Sequence, residues 1–118
     1  MNSTYKIINP EAISANLMNN LAIVKQFLSL YQTQIPIDFE DLRKAVESAD
    51  HKEIANKAHH VKPTLGYIGA SSLHAKFQEL EYAGKNKEDM ASIILKFNIL
   101  EHEYELLMEE INQYLSSI

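Results

Sequence analysis

Cysteine is absent from this sequence of 118 residues, which excludes a disulfide framework, thiolate metal sites and a cysteine nucleophile. Glycine and proline are scarce, three of each, and no glycine-rich phosphate loop or serine nucleophile elbow occurs. Positive charge is the minority sign: eleven Lys and Arg stand against sixteen Asp and Glu, giving a formal net charge of −5 and a pI near 5.5. That balance provides no electrostatic reason to seek nucleic acid or an anionic membrane surface. No apolar run approaches the roughly 18 residues that a membrane helix needs. The stretch Met1-Asn2-Ser3-Thr4-Tyr5-Lys6 lacks the basic-then-apolar design of a secretory signal. What is present is globular in composition, 46% hydrophobic and 23% charged. The expectation is one cytoplasmic domain over 1–118, able to bury roughly two-thirds of its unfolded surface around a single core.

Helix formers dominate the composition, and the apolar residues fall into helical phase. From Leu17 the positions Leu21, Val24, Leu28, Tyr31, Ile35, Phe39, Leu42 and Val46 step by three or four, which marks one face of a helix. Further faces read Ile54, Ala58, Val61, Leu65, Ile68; then Leu73, Phe77, Leu80; then Met90, Ile93, Phe97, Leu100, Tyr104, Leu107, Ile111, Tyr114, Ile118. Asn9-Pro10-Glu11 reads as an N-cap, a first-turn proline and a first-turn acid opening a short helix. Asp50 with Glu53 resembles a capping box that starts a helix near His51. Gly69 with Ser71-Ser72 separates the second face from the third, Gly84 suits a C-terminal cap, and Asn86 with Asp89 suits the next start. Pro36 falls inside the first long face without breaking its phase and is read as a kink in one helix, two shorter helices being the alternative; Pro63 is read as a tolerated kink. The fold class is therefore all-α: an antiparallel up-down-up-down four-helix bundle with a short extra N-terminal helix.

Five histidines occur, none four residues from another and none in Glu-x-x-His, so the ligand spacings of helical zinc and di-iron sites are missing and no metal is assigned. His51, His74 and His102 are read as solvated surface residues. His59 is different. It lies beside the stripe Ala58, Val61, Leu65, and Lys62 and Gly66 follow it along the same helical edge. A neutral imidazole is nucleophilic through a ring nitrogen, and an ammonium one turn away can stabilise an anion attached there. Gly66 leaves a low surface for the approach of another protein. The acidic cluster Glu101, Glu103, Glu105, Glu109, Glu110 is read as a solvated face of the last helix.

The stretch Ala58-His59-His60-Val61-Lys62-Pro63-Thr64-Leu65-Gly66-Tyr67-Ile68-Gly69-Ala70 resembles the signature of histidine-containing phosphotransfer (HPt) domains: Ala-His, any residue, an aliphatic, Lys, usually Gly, small residues, then an aliphatic and Gly. Phe27-Leu28, Leu42, Ala45, Asp50 and the mid-helix Pro36 look like that family's upstream helix, and Leu73 and Leu80-Glu81 like its downstream helix. The resemblance makes His59 the phosphorylated residue and Lys62 the phosphoryl-stabilising one. His60 does not fit, because the lysine would then be one position too close. On the facing helix the resemblance offers Glu81 to orient the imidazole, with Gln78 one turn earlier as the equal candidate. Where the family usually has glycine four residues after the histidine, this chain has Pro63, which frees the carbonyl of His59. Pro63, Gly66, Tyr67 and Ala70 are the expected partner-docking residues.

The function implied by the resemblance is that of a phosphorelay intermediate without an ATP site of its own, a phosphocarrier and not an enzyme. Its partners are receiver domains: one of a hybrid histidine kinase, whose aspartate donates, and one of a response regulator, whose aspartate accepts. No cofactor is expected on this chain, Mg²⁺ belonging to the receiver's acidic pocket, and the protein is expected to act as a monomer. Two rival classes are an HPt-like adaptor that docks receivers without carrying phosphate, and a metal-carboxylate enzyme in a helical bundle.

Overall fold

The computed structural model describes residues 5–118; the reading of Met1 to Thr4 as lacking a signal design lies outside them. Five helices and no strand occur among the described residues: α1 (Pro10–Asn16), α2 (Leu21–Glu47), α3 (His51–Tyr67), α4 (Ser71–Lys85) and α5 (Met90–Ser117). The four long helices pack in a ring, α2 on α3, α3 on α4, α4 on α5 and α5 on α2, while α1 lies against α2 and α3. The result is an elongated body of 43 × 24 × 20 Å. None of these helices is long and apolar enough to cross a membrane.

The apolar stripes meet inside this ring. Val24, Leu28, Ile35, Phe39 and Leu42 of α2, Ile54, Ala58, Val61 and Leu65 of α3, Leu73, Phe77 and Leu80 of α4, and Ile93, Phe97, Leu100, Leu107 and Ile111 of α5 are all buried. Phe39 stacks on Phe97 and on Tyr104, with ring centroids 5.3 and 3.8 Å apart, and Arg43 covers Phe39 and Phe97 from outside. Truncating one such buried side chain to alanine would cost about 2–5 kcal/mol, so the stripes position everything outside them. Pro36 and Pro63 each lie within a continuous helix, so α2 is one helix and not two.

The start signals hold in detail. Asn9 accepts from the amides of Glu11 and Ala12, and Asp50 and Asp89 cap α3 and α5 through the amides of Glu53 and Ser92; Asn20, which was not among those signals, caps α2 through the amide of Ile23. Two expectations are corrected. The first apolar face does not run unbroken from Leu17: α1 ends there, Met18 and Asn19 turn through left-handed backbone, and Leu21 is exposed. Gly84 does not cap α4 but lies inside it, buried, where an added Cβ would stand 2.7 Å from the carbonyl of His51 and 2.9 Å from the amide of Ala55. It is the close-approach point of α3 and α4. The left-handed residue that ends α4 is Lys87, whose amide bonds to Gly84 O while that of Glu88 bonds to Ala83 O, as in a Schellman turn.

Candidate functional site

His59 stands on the exposed side of α3, with its side chain 67% accessible. Its neighbours Ala58 and Val61 point into the core, which fixes the helix rotation and sets the imidazole at the edge shared with α4. There its Nδ1 lies 3.1 Å from Oε2 of Glu81, a carboxylate only 3% exposed. Lys62 reaches the other oxygen, Nζ to Oε1 at 2.7 Å, and Lys85 reaches Oε2 at 2.9 Å. One buried carboxylate therefore gathers an imidazole and two ammonium groups. Of the two candidate orienters, Glu81 makes the contact to the ring, and Gln78 makes none to it among the described residues.

The electrostatics follow from that gathering. Burial alone would raise the carboxyl group's pKa, but the hydrogen bonds and charges of Lys62 and Lys85, with a smaller contribution from His59, outweigh it and hold Glu81 at about 2. Glu81 is thus ionised at neutral pH, and a carboxylate only accepts hydrogen bonds. The nitrogen facing it carries the proton, so in the neutral ring Nε2 keeps its lone pair and faces away from the buried anion. Lys62 is not the exposed cation that its place beside His59 suggests. Its side chain is 16% accessible and engaged with Glu81.

His60 belongs to a different neighbourhood. Adjacent helical residues diverge by about 100°, and His60 leans toward α2, where Nε2 lies 3.7 Å from Oδ1 of Asp38. The surface beyond His59 is low: Pro63, Gly66 and Tyr67 are exposed, and with Asn16 of α1 they line a shallow depression. A Cβ added at Gly66 would meet nothing within 4 Å, so what the glycine provides is flatness and not internal fit. Exposed Phe27 and Leu30 add apolar surface along α2. Ala70 is corrected: it is fully buried, at the turn where its amide bonds to Leu65 O, and its side chain offers nothing to a partner.

Two further readings change. His51 is not simply solvated, since its Nε2 lies 2.7 Å from the carbonyl of Glu88 and ties the start of α3 to the α4–α5 turn. The acidic cluster of α5 is not one solvated face. Glu105 and Glu109 are exposed, but Glu101 pairs with Arg43 and Glu103 with Lys76. Glu110 is 4% exposed and accepts the backbone amides of Lys6, Ile7 and Ile8. Lys85 was also missed; its signal was the i, i+4 spacing from Glu81 on one helical face. Among the described residues no group of three or more His, Asp or Glu is arranged to hold a metal ion.

Comparison with known proteins brings these features into one frame. The family model described as Hpt domain matches residues 26–116. The crystal structure of histidine-containing phosphotransfer protein B (HptB) from Pseudomonas aeruginosa PAO1 superposes with a TM-score of 0.86, covering 98% of this chain and 99% of that one at 16% sequence identity. At that identity the likeness concerns the fold. No curated protein sequence matches.

Proposed function

The chain belongs to the Hpt domain family, and from that premise we propose that it is a phosphorelay intermediate carrying its phosphoryl group on Nε2 of His59. The observation that carries this reading is the Nδ1–Glu81 contact at 3.1 Å beside an imidazole open to a partner. In the transfer, the Nε2 lone pair attacks the phosphorus of a receiver's aspartyl phosphate. The N–P bond forms as the P–O bond breaks, and the aspartate departs as a carboxylate with the bonding pair. The ring keeps its Nδ1 proton and becomes cationic, and the buried Glu81 anion faces the new charge. Such a group orients the ring and stabilises the imidazolium that develops. Lys62, one turn from His59, is the cation for the phosphoryl oxygens.

The rest of the reading follows the same premise. The domain covers 1–118 as one antiparallel up-down-up-down bundle with α1 closing one end, a description that the ring of helix contacts supports. Pro63, Gly66 and Tyr67 form the docking surface for a receiver, apolar and flat beside the nucleophile. The donor is a receiver of a hybrid histidine kinase and the acceptor that of a response regulator. Mg²⁺ is supplied in the receiver's acidic pocket, and the chain works as a cytoplasmic monomer with no cofactor of its own. The test is incubation with a receiver domain carrying labelled aspartyl phosphate. Label should move to this chain in a form labile in acid and stable in base, as a phosphoramidate is. Docking without any transfer would make the protein an adaptor.

A further inference from the structure

Glu81 has three partners, and the chemistry just described leaves one of them without a part. From α3, His59 Nδ1 and Lys62 Nζ face the carboxylate; from α4 itself, Lys85 Nζ does; α5, which also packs on α4, contributes no ion pair to it among the described residues. The two lysines are not equivalent. Lys62 is largely covered and holds Oε1, whereas Lys85 comes from solvent, 58% exposed, and holds Oε2, the oxygen that also takes the ring nitrogen.

That arrangement has a consequence once His59 carries a dianionic group. If Lys62 turns to the phosphoryl oxygens it leaves Oε1, and a carboxylate 3% exposed cannot stand unpaired without a large penalty. A second cation on the same helix, at i+4, removes the difficulty because it need not move. We propose that Lys85 is a positioning residue for His59: by holding Oε2 of Glu81 it fixes the imidazole as the Nδ1–H tautomer and retains the anion when Lys62 turns to the phosphoryl group. The proposal rests on the phosphotransfer reading for its kinetic part only. The fixing of the tautomer is a property of the resting protein.

The experiment compares wild type with Lys85→Ala, Lys85→Arg and, as a charge control, Lys44→Ala, an exposed lysine near the α2–α3 turn that makes no ion pair with Glu81. Two quantities are read: the ¹⁵N pattern of the His59 ring at about pH 8, which distinguishes the tautomers, and the rate of label transfer from a phosphorylated receiver. Lys85→Ala is expected to convert a single Nδ1–H pattern into a mixture and to slow transfer roughly fivefold, the size of one exposed ion pair read as a rate. Lys85→Arg should restore both, and Lys44→Ala should change neither. An unchanged ring pattern in Lys85→Ala overturns the proposal, even where transfer slows, because the lysine would then be acting on the receiver and not on the ring. If wild type accepts no label at all, the phosphotransfer reading fails, and the ring pattern still decides whether Lys85 fixes the tautomer.

Discussion

Glu81 and Glu110 are the two buried charged residues among those described, and each is a glutamate at the margin of the same core. Their partners differ in kind. Glu110 accepts three backbone amides, those of Lys6, Ile7 and Ile8, at 2.8 to 3.0 Å. None of those donors can leave without the segment before α1 leaving too. Glu81 is held by side chains alone: two ammonium groups and an imidazole, each on a rotatable stem. A buried anion tied to the backbone anchors structure, whereas one tied to mobile side chains can exchange partners as charge arrives nearby. The proposed chemistry uses the second.

This contrast is broken or sharpened by substitution. The largest effect on stability is expected for Glu110→Ala, which strands three amides and should cost about 3 kcal/mol or more in urea unfolding. Transfer by the molecules that remain folded should be little changed; a loss of transfer as large as the loss of stability would erase the distinction. Glu81→Gln should cost a similar amount, on the order of 3 kcal/mol at neutral pH. Here the sign is fixed by the pKa. Because the folded group sits at about 2 against an ordinary 4.5, its contribution is present above 4.5 and is lost as the pH falls toward 2. The Gln variant should therefore lose the part of the acid limb that lies between those values, and it should transfer more slowly because an amide can present its NH₂ to the ring.

Smaller effects are expected outside the carboxylate. Gly66→Arg places a long side chain on the flat surface, where the first carbon meets no obstacle. Stability should hold within about 0.5 kcal/mol while transfer falls about tenfold, as for the loss of one good interface contact. Unchanged transfer would move the docking surface elsewhere. Lys62→Ala should slow transfer by the equivalent of about 1 kcal/mol. Part of its stability cost should be masked, since Lys85 still pairs with Glu81.

The fold was largely legible because burial imposes period. The stripes of α3, α4 and α5 could be read off the chain, and so could the caps at Asn9, Asp50 and Asp89. What escaped reading depends on partners distant in sequence. Gly84 looks like a helix end until α3 is placed against it. Glu110 looks like one more acid in an acidic run, although it sits between Leu107 and Ile111 on the apolar stripe, and its donors lie about a hundred residues away. At the site, His59 and Lys62 share a ridge that the helical phase reveals. Glu81 came from family resemblance and not from pattern, and only the packing of α4 on α3 separates it from Gln78. Ala70 was misplaced because a docking motif and a helix-ending turn overlap there, and the turn decided its burial.

The central claim is that the phosphoryl group resides on His59 and not on the equally exposed His60. Their side chains are 67% accessible alike, but one meets Glu81 on α4 and the other Asp38 on α2. The direct measurement loads wild type, His59→Gln and His60→Gln from the same phosphorylated receiver and compares acid-labile label. Label abolished in His59→Gln and retained in His60→Gln is the predicted result; label retained in His59→Gln would contradict the mechanism at its first step.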